Sequence, residues 1–388
     1  MKYDFDVITD RKGTDCLKWD FSKERGIPED ALPMWVADMD FKTPECVQTA
    51  LKKVVEHGIF GYTNTKEDFA RVVCDWFLRN HSYAFSPEWL VKTPGVVFAL
   101  ATAVKAFCEP GDGVVIQQPV YYPFLSVIRN NKRRIVNNPL IYRDGRYEMD
   151  YEDLEQKVSG DDVKLFILCS PHNPVGRVWT KEELTKVWDI CSRHGVIVVS
   201  DEIHCDFTYP GHVHTVFASL SDEAADNCVI LTAPSKSFNL AGLQYSSIFI
   251  KNVQLRRKFE AAVYATGYDE PSVMGVTAAR AAYSGGQEWL DQLRVYLADN
   301  LAFMKKYLRD NMPDAGLVEP EGTYLVWVDC RGLGLTDAEL NDAIVNKARL
   351  WLDAGRIFGD EGKGFQRFNL ACPRDTLEEA LKRFCKIV

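Results

Sequence analysis

The chain has 388 residues, long for a single hydrophobic core, so two domains are expected. Its 46% hydrophobic and 26% charged residues are those of an ordinary globular protein. A net charge of −9 argues against nucleic acid or an anionic membrane as a partner, because phosphate binding needs net basic surface. No apolar run approaches the roughly 18 residues that span a bilayer. The start, MKYDFDVITD, is acidic where a secretory signal needs basic and then apolar residues. The eleven cysteines are scattered without a CxxC pair, so a cytoplasmic chain with reduced, mostly core cysteines is expected.

In chain order, the first strong signal is TPGVVFALATAVKAF (93–107), where Gly95 opens a helix whose inner face reads as Val97, Leu100, Val104 and Phe107. Such a helix start offers free backbone N–H groups and a positive dipole end, a ready phosphate site. GVVIQQ (113–118) reads as a strand, and RNNKRR (129–134) as a solvated turn. VKLFILCS (163–170) is a second strand, followed by PHNPVG, which places Asn173 in a proline-bracketed turn. TKEELTKVWDICSRHG (180–195) predicts a helix. Thr180 and Glu183 form its capping box, Leu184, Val187, Trp188 and Cys191 its apolar face, and Gly195 its end. GVIVVS (195–200), CVILTA (228–233) and SSIFI (246–250) complete a set of short, β-branched runs suited to strands covered on both faces. Asp201 follows the first of these, and Lys236, in TAPSKSFNLAGLQ, follows the second. Beyond about residue 286 the chain is richer in charge and helix pattern and reads as a second, smaller domain.

Strand–helix–strand repetition implies a mostly parallel sheet, whose ligands gather at the carboxyl ends of its strands. A post-strand aspartate is commonly a cap, and glycine before a helix is commonplace. Together, though, a phosphate cradle, a lysine, a carboxylate and an amide donor meet the requirements of pyridoxal 5′-phosphate (PLP).

PMWVADMDF (33–41), GYT (61–63), PVYYPF (119–124), SPHNPVGRVW, SDEIH, APSKSFNLAGL, EGTYLVW and RFNLACPR occur in this order along essentially the whole chain. With these motifs the sequence resembles the fold-type I, aspartate-aminotransferase-like PLP enzymes. More narrowly it resembles the MalY/PatB cystathionine β-lyase (C–S lyase) family. The resemblance implies an α/β fold with a mainly parallel sheet in a large PLP-binding domain and a smaller C-terminal α/β domain. The expected division is an arm over 1–45, the large domain over 46–285 and the small domain over 286–388.

The resemblance also implies roles. Lys236 carries the cofactor and, once displaced by substrate, acts as the base at Cα. Asp201 keeps the pyridine nitrogen protonated, and Asn173 donates to the phenolic oxygen on the substrate side. Tyr121 stacks on the ring as a further catalytic residue, with Tyr122 beside it toward the substrate. His204, at the end of SDEIH, belongs to the cofactor shell. Gly95, Val96, Val97 and Ser235 surround the phosphate, and Tyr62 reaches it from the neighbouring subunit of a homodimer while also facing substrate. Arg367 grips the substrate α-carboxylate with its guanidinium fork, and the backbone of Ala37 lies near the substrate. Gln244 departs from the wider fold, standing where the transaminases carry a phosphate-binding arginine. No metal is expected. The implied reaction is α,β-elimination from an L-cysteine S-conjugate such as cystathionine, giving a thiol, pyruvate and ammonia. An aminotransferase on the same fold, or a lyase that also binds a transcription factor, stays open.

Overall fold

The computed structural model of the chain describes residues 3–387. Its centre is a seven-stranded sheet in the order Leu90–Thr93, Ser246–Phe249, Cys228–Thr232, Ile197–Asp201, Val163–Cys169, Gly113–Ile116, Arg134–Asn137. All five strands expected from the sequence are in it, their ends shifted by one or two residues. Four neighbouring pairs are parallel, and only Ser246–Phe249 runs against both its neighbours.

The continuous apolar runs have a direct cause. Successive residues point to opposite faces, and each face meets its own core. Val115, Phe166, Leu168, Val198 and Ile230 enter one core, which helices Glu67–His81, Lys181–Arg193 and Val273–Gly285 also fill. Val114, Leu165, Ile167, Val199 and Leu231 enter the other, closed by helices Val96–Phe107, Pro123–Asn130 and Val253–Tyr264. Helices on both faces of a mostly parallel sheet make this an α/β architecture.

The capping box of Thr180 and Glu183 is present in both directions, and the helix it starts ends at Arg193, with Gly195 in the left-handed region at φ +65°. Two expectations need correction. The helix after Gly95 buries Val96, Ala99, Leu100, Ala103 and Val104, whereas Val97 is exposed and Phe107 only partly covered. Asp201 is the last residue of its strand rather than the first beyond it, in register with Cys169 and Leu231 on either side.

A second, antiparallel sheet joins Gly316–Leu317, Leu325–Asp329, Phe365–Asn369 and Asp353–Ala354. Near the start of the chain, Leu32–Pro33 pairs in parallel with Leu350–Trp351. This pairing lays the following segment, 34–41, across the carboxyl edge of the large sheet. Side chains then pin its backbone. Asn239 Nδ2 donates to the carbonyls of Met39 and Phe41, each at 2.9 Å, and Asn369 Nδ2 to those of Val36 and Asp38, each at 2.6 Å. Lys18, buried, holds Asp40 at 2.7 Å, and Arg11 pairs with both Asp38 and Asp40. All eleven cysteines are free and most are buried. No helix among the described residues is long and apolar enough to cross a membrane.

Candidate active site

At the carboxyl edge of the parallel strands, beneath the pinned segment, lies a cavity of about 420 Å³. The strand ends bring its functional groups to it. Val163–Cys169 leads to Asn173, Ile197–Asp201 supplies Asp201 and the turn bearing His204, and Cys228–Thr232 leads into the short helix Pro234–Ser237 with Ser235 and Lys236. From the edge strand come Gly95, Val96 and Val97, from the loop after Gly113–Ile116 comes Tyr121, and from the covering segment comes Ala37. The structure therefore brings together ten of the residues expected from the sequence. Gln244 lines the same cavity.

Three expected residues stand apart from that lining. Tyr122 lies against Tyr121, ring centroids 5.5 Å apart, and against Phe358. Arg367 is buried one layer out and joins the site through Asn173, whose Oδ1 accepts from its Nη1 at 2.9 Å. Tyr62 is 97% exposed, between helices Glu45–His57 and Glu67–His81, and is not part of the cavity of its own chain.

The charges in the cavity are set by burial. Lys236 Nζ donates to the carbonyl of Ala37 at 2.6 Å, and the hydroxyl of Tyr324 donates to that same carbonyl at 3.0 Å. The lysine is brought down to about 8, by desolvation first and by Arg367, against the upward push of Asp38 and Asp201. Desolvation raises Asp201 to about 7, because its one hydrogen bond, from the Ile203 N–H at 3.2 Å, is weak compensation for a buried carboxylate. His204 is held well below the ordinary imidazole range, again by burial first, and its Nδ1 has no partner.

These features fit PLP. Asp201 is a buried carboxylate whose charge lacks a close partner, which a protonated ring nitrogen supplies. The helix Val96–Phe107 has no side-chain cap, so its first N–H groups are open to a phosphate. Gly95 precedes it at φ +155° and ψ +159°, a backbone open essentially to glycine alone. With Asn173 Oδ1 occupied by Arg367, the amide's N–H donors remain for the cavity. Arg367 Nε is buried and unpartnered, beside Nη atoms held by Asn173, Asp353 and the carbonyl of Trp35.

The sequence alone assigns no role to Tyr324, Asp353, Asn239, Asn369 or Lys18. Tyr324, Asn239 and Asn369 lie in the quoted EGTYLVW, APSKSFNLAGL and RFNLACPR. For Asp353 and Lys18 the local sequence carries no signal, since each acts through a partner on another element, Arg367 and Asp40.

The family model for aminotransferase class I and II matches residues 30–384. The chain belongs to this family. Among curated relatives, cystathionine beta-lyase PatB of Bacillus subtilis is 47% identical over 98% of both chains, and protein MalY of Escherichia coli is 36% identical over 98% of this chain and 97% of its own. Among solved structures, cystalysin from Treponema denticola, which contains pyridoxal 5′-phosphate, aligns with a TM-score of 0.96 at 39% identity over 100% of this chain and 99% of its own. The cavity thus lies in a member of the aminotransferase class I and II family, in a chain similar along its whole length to C–S lyases.

Proposed function

We propose that this protein is a PLP-dependent carbon–sulfur lyase that performs α,β-elimination on L-cysteine S-conjugates such as cystathionine, releasing a thiol, pyruvate and ammonia. The observation that carries the reading is that half-buried Lys236 and buried Asp201 line one cavity of a chain 47% identical to a cystathionine beta-lyase. When bound, PLP supplies a conjugated ring that accepts the electron pair left at the substrate Cα.

The chain's own residues do the rest. Lys236, lowered toward neutrality by burial, takes the Cα proton. Asp201 would hold a proton on the ring nitrogen, and Asn173 would donate to the phenolic oxygen. Tyr121 would fix the ring plane, with His204 lining the same cavity. Gly95, Val96, Val97 and Ser235 would hold the phosphate. Arg367 receives the α-carboxylate, with Asn173 and Asp353 fixing the plane of its fork, and Ala37 and Tyr122 flank the substrate. The covering segment excludes water while the leaving sulfur departs from Cβ.

Two further statements belong to this reading. The division into 1–45, 46–285 and 286–388 places Ala37, the PLP-binding groups and Arg367 on three different parts of the chain, so the site forms where they meet. The protein acts in the cytoplasm as a homodimer, the partner subunit's Tyr62 reaching the phosphate. The exposed run Ile59, Phe60 and Tyr62 supports the dimer, because contiguous apolar surface of this kind marks an interface.

The test is an assay of the PLP-loaded protein with cystathionine and no added 2-oxo acid. Stoichiometric thiol and pyruvate are expected. Turnover that depends on a 2-oxo acid makes the protein an aminotransferase instead.

A further inference from the structure

Beneath the Lys236 segment, outside the cavity, lies a second buried polar cluster centred on Asp206, five residues after Asp201 on the same turn. Asp206 is 3% exposed. Its Oδ1 accepts from Trp76 Nε1 at 3.1 Å and lies 2.9 Å from His81 Nε2, and its Oδ2 accepts from the hydroxyl of Ser237. Its backbone carbonyl accepts from Arg294 Nε at 2.6 Å, and the Arg294 guanidinium stands 3.9 Å from Oδ1. Desolvation drives the Asp206 carboxyl upward, but His81, Arg294 and Ser237 together hold it below its ordinary value, so it is a buried carboxylate.

Ser237 follows Lys236 directly. It is 1% exposed, and Asp206 is the hydrogen-bond partner of its hydroxyl. The helix that carries both, Pro234–Ser237, is four residues long and has no side-chain cap. One turn has no stability of its own, so tertiary contacts decide where it sits. A hydrogen bond to a fully desolvated carboxylate is among the strongest contacts available to a neutral hydroxyl.

We infer that Asp206 is a positioning residue for the reaction: through Ser237 it locks the turn bearing Ser235 and Lys236 to the turn that follows Asp201. The lysine and the ring-nitrogen carboxylate stand on different strands, Cys228–Thr232 and Ile197–Asp201, and this bond spans the turns at their ends. It holds the base and the phosphate-side hydroxyl of Ser235 as one rigid piece. The remaining partners of Asp206, Trp76 and His81 on one helix and Arg294 on another, anchor the carboxylate from behind. The inference rests on the assignment of Lys236 made above.

The experiment compares Ser237→Ala, Asp206→Asn and the double variant, all loaded with PLP, with Lys236→Ala alongside. It reads kcat and KM per PLP-loaded site, the rate of PLP loss on dialysis, and the thermal unfolding midpoint. Ser237→Ala leaves Trp76, His81 and Arg294 on Asp206 and should fold. It is expected to lower kcat about tenfold and to speed PLP loss by a similar factor, with KM within about twofold, since a misplacement of about 1 Å at a reacting group costs one to two orders of magnitude. The double variant should be no worse than Asp206→Asn alone, because both substitutions act on the same Ser237–Asp206 contact. A Ser237→Ala protein with wild-type kcat and PLP retention overturns the inference. So does one whose lost activity merely tracks lost folded protein, and so does additivity in the double variant. Normal turnover by Lys236→Ala overturns the assignment beneath it, an outcome distinct from an inactive Lys236→Ala beside an unimpaired Ser237→Ala.

Discussion

On the proposed reading, Lys236 can serve as a base only so far as burial keeps it uncharged. Desolvation sets it near 8, and the carboxylate of Asp38, next to the Ala37 carbonyl that holds its Nζ, pushes it up. A base works in its neutral form, so kcat should rise with pH through the region near 8 and level off above it. Asp38→Asn removes the upward push and should move this limb to lower pH. A kcat profile whose limb stays put or moves up would remove Asp38 from the lysine's electrostatics. Asp201 makes the opposite case. In the PLP-free chain its pKa is raised from 3.8 to about 7, so the folded chain binds a proton there that the unfolded chain has released. Its contribution to stability is therefore fully present below about 4 and is lost as pH rises through about 7. Asp201→Asn should raise the unfolding midpoint of the PLP-free chain at pH 8 but hardly at pH 4, while elimination by the loaded variant falls by several orders of magnitude. Equal midpoints for the two chains at pH 8 would show that Asp201 carries no burial penalty.

At the scale of single elements, the helix that starts at Val96 carries the sharpest claim. Gly95 sits at φ +155°, and no atom lies within 4 Å of where a Cβ would stand, so Gly95→Ala adds backbone strain without a clash. Strain of about 1–3 kcal/mol is expected for such a backbone, enough to weaken PLP binding roughly 5- to 150-fold if it is relieved by turning the Val96 and Val97 N–H groups away. Titration of the PLP-free protein measures this, and unchanged affinity would mean that these groups do not cradle the phosphate. The element also shows where the sequence stops being informative. The capping box of Thr180 and Glu183 and the strand ends at Asn173, Asp201 and Lys236 are legible because their signals are local. The helix after Gly95 is apolar almost all round, so stripes through Val97 and through Val96 both satisfy helical spacing. Only packing against the sheet decides that Val96 is buried and Val97 turns to the cavity. The pins on the covering segment are less legible still. Asn239 and Asn369 act on carbonyls 198 to 333 positions away, and no pattern of spacing encodes such a partner.

For the molecule as a whole, the question is whether one chain contains a complete site. Within a chain, Tyr62 is almost fully exposed and contributes nothing to the cavity that holds Lys236. Its neighbours Ile59 and Phe60 are also bare, an arrangement that a second copy of the chain would cover. If the partner subunit's Tyr62 completes each phosphate site, a dimer built from one Tyr62→Phe chain and one Lys236→Ala chain has two unlike sites. One combines wild-type Lys236 with wild-type Tyr62, and the other carries both lesions. Lys236→Ala alone and Tyr62→Phe alone should each be strongly impaired, because each homodimer repeats its lesion in both sites. Mixed dimers, made by co-expression and purified with two different tags, should regain up to about half the activity of a wild-type dimer, since a two-fold dimer has two sites and one is restored. Absence of recovery in verified mixed dimers, with both single variants impaired, would place Tyr62 in the site of its own chain or outside the site altogether.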